Sequence, residues 1–309
     1  MANLLYADFY KLRKDKLFLL FLTFVTGFCL YKGIVTYSSF LPTENEYMVF
    51  PLQEIPIIAF VVSIVTSFFV CTDYSDGVIR NKIITGCSRK NIYLSNTIVT
   101  SVIALSMTLA FLFCGIGVVF QKKIPLSIYL IFILIALVTS TVFSAVSTFI
   151  STLTTKKAVA AVICIAVSAA MFFATSYVSG ELGQPEFNRE IATVNGEEYD
   201  GFSMIPENST LTYREYPNPT YPTGTKRIVL EFANSVLPTT QLSAIANIWV
   251  NNTDDSIYIV SKFSTKGEGD EPIVSPLDVL AVANPIYSLC FSIFITVLGV
   301  YLFKRKSIN

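Results

Sequence analysis

The chain has 309 residues and no histidine. That excludes Ser-His-Asp and Cys-His nucleophiles, histidine acid–base catalysis and the commonest zinc and haem ligands. Its six cysteines, Cys29, Cys71, Cys87, Cys114, Cys164 and Cys290, lie far apart, with no paired spacing that would hold a metal or form a redox couple. There is no Gly-Lys dipeptide, so the loop that wraps nucleotide phosphates in P-loop ATPases is missing. No catalytic residue, metal or cofactor is therefore expected in this chain. What remains is a dense string of charge, Asp73-Tyr74-Ser75-Asp76-Gly77-Val78-Ile79-Arg80-Asn81-Lys82-Ile83-Ile84-Thr85-Gly86-Cys87-Ser88-Arg89-Lys90. It predicts a short helix bracketed by Gly77 and Gly86, with Ser75 or Asp76 as its cap. Ile79 and Ile83 share a face, and Arg80 and Lys82 flank it. With Asn81 and Ile84, they form an amphipathic patch shaped to enter a groove on another protein. A solvated, cation-rich loop accounts for the pattern alone equally well.

The N-terminus offers a second such segment. In Leu4–Lys16, Leu5, Phe9 and Leu12 fall at i, i+4 and i+7, and Lys11, Lys14 and Asp15 lie away from them. The pattern predicts an interfacial helix whose basic side meets anionic lipid headgroups.

The elements that must position these segments are set by composition. Apolar residues make up 53% of the chain and charged residues only 14%, far below the usual quarter, so an ordinary soluble globule is excluded. Six apolar stretches, at about 17–37, 55–72, 95–120, 127–152, 158–178 and 285–303, are each long enough as helices to cross about 30 Å of hydrocarbon. Basic residues crowd four of the flanks: Lys11, Arg13, Lys14 and Lys16; Arg80, Lys82, Arg89 and Lys90; Lys156 and Lys157; Lys304, Arg305 and Lys306. The positive-inside rule then places both termini in the cytoplasm of a multi-pass cell-membrane protein. The expected fold is an all-α polytopic membrane protein. It has an N-terminal interfacial helix and five spans over 1–178, an extracellular mixed α/β insert over 179–284, and a sixth span with a cytoplasmic tail over 285–309. The insert carries six basic and fifteen acidic residues, a balance of −9. Within it, Lys226–Phe232 reads as a strand or a helix start. Pro238 reads as the first turn of a helix, and 276–283 as a short outer helix before the last span.

Two further features bear on packing and energy source. Ala136, Ser140, Ser144, Thr148 and Thr152 recur every fourth residue, a stripe that lets helices approach closely, either within one bundle or between two copies. Apart from Lys32, the apolar stretches hold no Asp, Glu, Lys or Arg. An ion-coupled transporter ordinarily needs such groups near the bilayer midplane. If this chain moves a solute uphill, the energy must come from a partner.

Taken together, the layout resembles the permease subunits of ABC-2 type ABC transporters. The resemblance is most specific in Leu4–Phe18 and in Asp73–Asn96, whose Asp-Gly-Val-Ile-Arg-Asn-Lys and Ser-Arg-Lys-Asn-Ile-Tyr-Leu-Ser-Asn strings look like that family's loop after the second span. It implies an elbow helix at 4–16 and a coupling helix near 76–86 that docks on a separate ATP-binding subunit. It also implies a pathway shared with a second permease, identical or related, and ATP with Mg²⁺ on the partner ATPase alone. The insert of about 100 residues departs from the many members with short outer helices there, so the cargo does not follow from the resemblance. The acidic insert would attract cations, and the resemblance to members that handle antimicrobial peptides then implies a cationic peptide or amphiphile, while solubility alone accounts for the acidity equally and lipid-linked glycans and small drugs remain open as cargo. The competing expectation is a non-transporting membrane sensor or interaction protein that uses the insert as its receptor. Nucleic acid is not an expected partner.

Overall fold

The computed structural model describes residues 1–39, 46–48, 55–121, 126–154, 156–184, 186–194, 197–198, 211–246, 248–251, 257–259 and 285–306. Two helices open the chain, α1 (Ala2–Lys14) and α2 (Lys16–Ser39), followed by a short strand, β1 (Glu46–Met48). Then come α3 (Pro56–Ser75), α4 (Val78–Ile84), α5 (Arg89–Gln121), α6 (Leu126–Leu153) and α7 (Lys157–Leu182). The next segment alternates strands and helices: β2 (Phe187–Val194), β3 (Glu197–Glu198), β4 (Leu211–Pro217), α8 (Gly224–Val236), α9 (Pro238–Ala246), β5 (Ile248–Asn251) and β6 (Ile257–Ile259). α10 (Pro285–Arg305) follows.

Five of these helices are long and apolar enough to cross a membrane: α3, α5, α6, α7 and α10. They fit a multi-pass membrane protein. The remaining expected crossing coincides with α2. α3 is the central helix, with 67% of its apolar window buried, whereas α7 and α10 have only 28% and 17% buried and turn bare apolar surface outward. On α3, Ile58, Val62, Val65 and Phe69 follow the helical repeat and pack against Val99, Ile103 and Met107 of α5 and Ile135 and Phe143 of α6. Hydroxyls inside the bundle fold back onto their own helices: Thr66 donates to the Val62 carbonyl at 2.6 Å, Thr100 to Asn96 at 2.9 Å and Thr139 to Ile135 at 2.7 Å. This keeps polar groups satisfied where water is absent.

The small-residue stripe on α6 is consumed within this chain. Ala136, Ser140, Ser144 and Thr148 are all buried. Thr148 and Thr100 of α5 share a hydrogen bond at 2.8 Å, and Ser144 meets Ser101 at 3.5 Å. Short side chains let α5 and α6 come together and exchange hydroxyl contacts.

The two ends of the bundle differ. At one end β1, between α2 and α3, pairs antiparallel with β5 (Glu46 opposite Asn251, Tyr47 opposite Val250, Met48 opposite Trp249), and β5 pairs with β6. That register joins the connection after α2 to the segment after α7. A second antiparallel sheet has the order β3-β2-β4. Residues 224–236 form a helix, α8, which settles the strand-or-helix question for Lys226–Phe232, and Pro238 opens α9 as its fixed φ favours. The expected outer helix at 276–283 lies outside the described residues. At the opposite end sit α1, α4, Lys156–Lys157 and the tail of α10.

Candidate functional site

The end of the bundle that carries α1 and α4 is organised by a buried charge cluster. α4 begins at Gly77, whose φ of 69° reverses the chain after α3, and its first turn has no side-chain cap. The Ser75 hydroxyl instead lies 2.8 Å from the Asp76 carboxylate, to which it donates, and 3.1 Å from the Thr72 carbonyl, so the expected Ser75 or Asp76 cap does not form. The Ser75 hydroxyl, with Lys157 as a lesser contributor, holds the Asp76 carboxyl below its ordinary range. The far end of α4 closes as expected from Gly86. With φ of 87°, Gly86 donates its N–H to the Ile83 carbonyl, and Cys87 donates to that of Lys82, each at 3.0 Å. This pair of bonds satisfies the last carbonyls and fixes where the helix stops.

Held between two glycine reversals, α4 turns Ile79 and Lys82 inward. Ile79 is buried in a cluster with Leu4 of α1, Ile92 and Tyr93 of α5 and Phe303 of α10. Lys82 Nζ lies 2.7 Å from Asp8 Oδ1 of α1 and 2.9 Å from Asp73 Oδ2 of α3, and its side chain is only 12% exposed. Lys11 Nζ reaches the other oxygen of Asp73 at 2.5 Å, donates to the Phe69 carbonyl at 3.0 Å and sits 4.1 Å from the centre of the Phe69 ring. Ser95 of α5 donates to Asp8 Oδ2 at 2.6 Å. Two carboxylates and two ammonium groups close on themselves, with each carboxylate oxygen partnered, which is the arrangement that makes buried charge tolerable. Burial alone would lower the Lys82 pKa. Asp73 and Asp8 outweigh burial and hold it above the ordinary lysine value.

The outward face of α4 is therefore Arg80, Asn81, Ile84 and Thr85, with Ile83 half-buried. Ile84 is 73% exposed, unusual for so large an apolar side chain on a helix of seven residues. On α1 the inward face is Leu4, Asp8 and Leu12, with Leu5 packed partly against the core. Phe9 is exposed and shares the outward face with Tyr6, Tyr10, Arg13 and Lys14. Lys14 Nζ lies 2.5 Å from the Tyr10 hydroxyl and 4.4 Å from its ring centre. The structure thus splits the expected apolar trio of Leu5, Phe9 and Leu12 between two faces.

The tail of α10 completes this end. Lys306 donates to the Thr152 and Leu153 carbonyls at 2.6 and 3.3 Å, capping the C-terminus of α6, and lies 4.9 Å from the Tyr74 ring centre. Burial pulls the Lys306 pKa below its ordinary value. Arg89, at the start of α5, donates to the Lys304 carbonyl at 3.2 Å and to that of Lys306. Asp8, Asp73 and Ser95, the residues that fix α4, were not singled out from sequence. The legible signal was Asp8 itself, an acid on the apolar repeat Leu4–Asp8–Leu12.

Among the described residues no group of three or more His, Cys, Asp or Glu side chains could hold a metal ion. No family model matches the chain, and no curated protein matches it either.

Proposed function

We propose that this chain is the transmembrane permease subunit of an ATP-driven exporter of the ABC-2 type. In this reading α2 is the first of six spans and both termini are cytoplasmic. The segment between α7 and α10 is extracellular, and a second permease, identical or related, completes the pathway. ATP and Mg²⁺ are bound by a separate cytoplasmic ATPase. The observation that carries the reading is the clamp on α4. A short helix pinned to α1 and α3 by buried ion pairs, and packed on α5 through Ile79, moves only with them, so a push on its outward face is passed to these helices rather than lost in a flexible loop. Arg80, Asn81 and Ile84 form the face that would dock on the ATPase, and Ile79, Lys82 and Ile83 hold the helix in place. The outward aromatic and basic face of α1, with Tyr6, Phe9, Tyr10, Arg13 and Lys14, suits the headgroup region of the inner leaflet. The balance of −9 over 179–284 supports a cationic cargo, and the resemblance to peptide-handling members of that family makes an antimicrobial peptide or amphiphile the cargo of this reading.

The test is co-purification. Arg80→Glu combined with Ile84→Glu is expected to abolish capture of an ATPase and ATP-dependent efflux, while the membrane protein keeps its melting temperature. Unchanged complex formation and transport in that variant would sink the proposal and return the chain to the sensor reading.

A further inference from the structure

Helix α8 carries more apolar surface than the protein covers. Leu230 is buried against Val178 and Leu182 of α7, with Ala233 and Leu237 beside it. Lys226 Nζ pairs with Glu181 Oε2 at 2.6 Å and ties the first turn of α8 to the end of α7. Ile228, Val229 and Phe232 point elsewhere and are 67%, 59% and 68% exposed. At about 100° per residue, the apolar side chains from Ile228 through Phe232 and Val229 to Leu230 span roughly 200° of the helix, of which α7 takes only part. The polar remainder, about 160° of the circumference, holds Arg227, Glu231, Asn234 and Ser235, while Thr225 and Lys226 fall within the apolar arc. Arg227 Nε lies 2.8 Å from Glu231 Oε1, and the guanidinium stands 5.0 Å from the Tyr221 ring centre.

α8 packs against α7 and α10, which carry exposed apolar side chains of their own. Phe173 and Tyr177 on α7, and Ile286 and Tyr287 on α10, are exposed as well. α7 and α10 are the two least covered of the candidate spans, so in a bilayer their bare outer surfaces are the first to meet lipid. We propose that α8 lies in the lipid–water boundary at the end of α7, with Ile228, Val229 and Phe232 seated among the upper acyl segments and the Arg227–Glu231 strip facing water. The occupant is lipid because α8 packs against α7 and α10, the two candidate spans with the barest apolar surface, and its own uncovered arc is apolar. The polar strip runs along one side of the helix, as in a helix lying flat in the interface. This places an amphipathic anchor between the last turn of α7 and the segment that follows α9. The inference rests on the spans alone and stands or falls separately from the coupling role of α4.

The test uses the full chain reconstituted in phosphatidylcholine bilayers. Trp249 is the only tryptophan, so Trp249→Phe gives a silent background for Phe232→Trp. Lipids brominated near the headgroup end of the chains are expected to remove about half or more of the emission. Bromines at the chain ends should remove less, and aqueous iodide little, as for a helix seated about 5–10 Å below the headgroups. Quenching by iodide without a bromolipid effect overturns the proposal by placing α8 in water. Insensitivity to both overturns it by showing protein over that face, either a second copy or another part of this chain. Ile228→Trp gives the same reading where Phe232→Trp does not assemble.

Discussion

Gly299 of α10 lies so close to Tyr93 of α5 that a Cβ on it would fall 1.9 Å from the Tyr93 hydroxyl oxygen and 2.2 Å from the ring carbon that bears it. The ring has little room to yield. Tyr93 is buried, and its centre stands 6.1 Å from that of Phe303, which also packs edge-on against Tyr74. Gly299→Ala is therefore expected to lower the melting temperature, with an overpacking cost of about 1–3 kcal/mol. Among the described residues the Tyr93 hydroxyl has no hydrogen-bond partner. Tyr93→Phe should then be neutral or slightly stabilising, because it removes a buried polar group without stranding another. Thermal melts of detergent-purified protein check both, and a strongly destabilised Tyr93→Phe would show that the hydroxyl is satisfied after all.

The charge cluster makes a different prediction. Lys82→Met leaves Asp8 and Asp73 buried without their shared cation, and breaking a buried pair in this way costs about 3–5 kcal/mol. Adding Asp8→Asn to Lys82→Met should recover part of the loss, because one of the stranded charges is then gone. A double-mutant cycle read by melting temperature measures the coupling. Additive effects would mean that the pair is not formed.

The same lysine fixes a pH dependence. Its folded pKa lies above the ordinary 10.5 because Asp73 and Asp8 outweigh the opposing effect of burial. Such a group contributes stability that is fully present below the unfolded pKa and is lost as pH rises through the higher folded value. The difference in melting temperature between wild type and Lys82→Gln should thus stay constant through the neutral range and shrink only above 10.5. A difference that changes near neutral pH would point to another titrating group.

How much of this end was legible follows from sequence distance. The α4 helix and its two glycine brackets are local features, and spacing alone found them. So did the stripe of small residues, although the structure was needed to place Ser144 and Thr148 against α5. The direction in which α4 faces was not legible. Lys82 and Ile79 look like docking residues on a helical wheel, but their partners include Asp8, 74 residues away, and Leu4 of α1. The exposed face at this site, Arg80, Asn81, Ile84 and Thr85, emerges only once those contacts are known. The split of Leu5 and Phe9 on α1 has the same cause: Asp8 must face Lys82 and Ser95, and this turns the helix so that Phe9 points outward.

Packing between α5 and α6 gives a prediction on assembly. Because Ser144 and Thr148 are used inside the chain, Ser144→Leu should destabilise the single subunit through overpacking by about 1–3 kcal/mol. Size-exclusion chromatography with light scattering separates the outcomes. Loss of folded protein at every concentration is expected. A folded variant that merely fails to self-associate would mean that the stripe serves an interface between copies.

At the opposite end, α9 enters the bundle through a polar clasp. Thr239, Thr240, Gln241 and Leu242 are all buried. Thr239 shares a hydrogen bond with Thr175 of α7 at 2.5 Å and donates to the Met171 carbonyl at 3.0 Å. Gln241 Oε1 accepts from Ser288 of α10 at 2.6 Å and lies 3.3 Å from the Thr139 hydroxyl of α6, whose single proton it shares with the closer Ile135 carbonyl. One amide thus joins three helices, and its side-chain bonds are made where water cannot substitute. Gln241→Leu keeps the bulk but leaves the Ser288 hydroxyl without its acceptor, a loss of about 1–3 kcal/mol. Ser288→Ala in the Gln241→Leu background removes the stranded hydroxyl and should return much of that stability. Thermal melts of the single and double variants decide the point: if Ser288→Ala destabilises the Gln241→Leu protein further, the clasp is held by packing rather than by the Gln241–Ser288 bond.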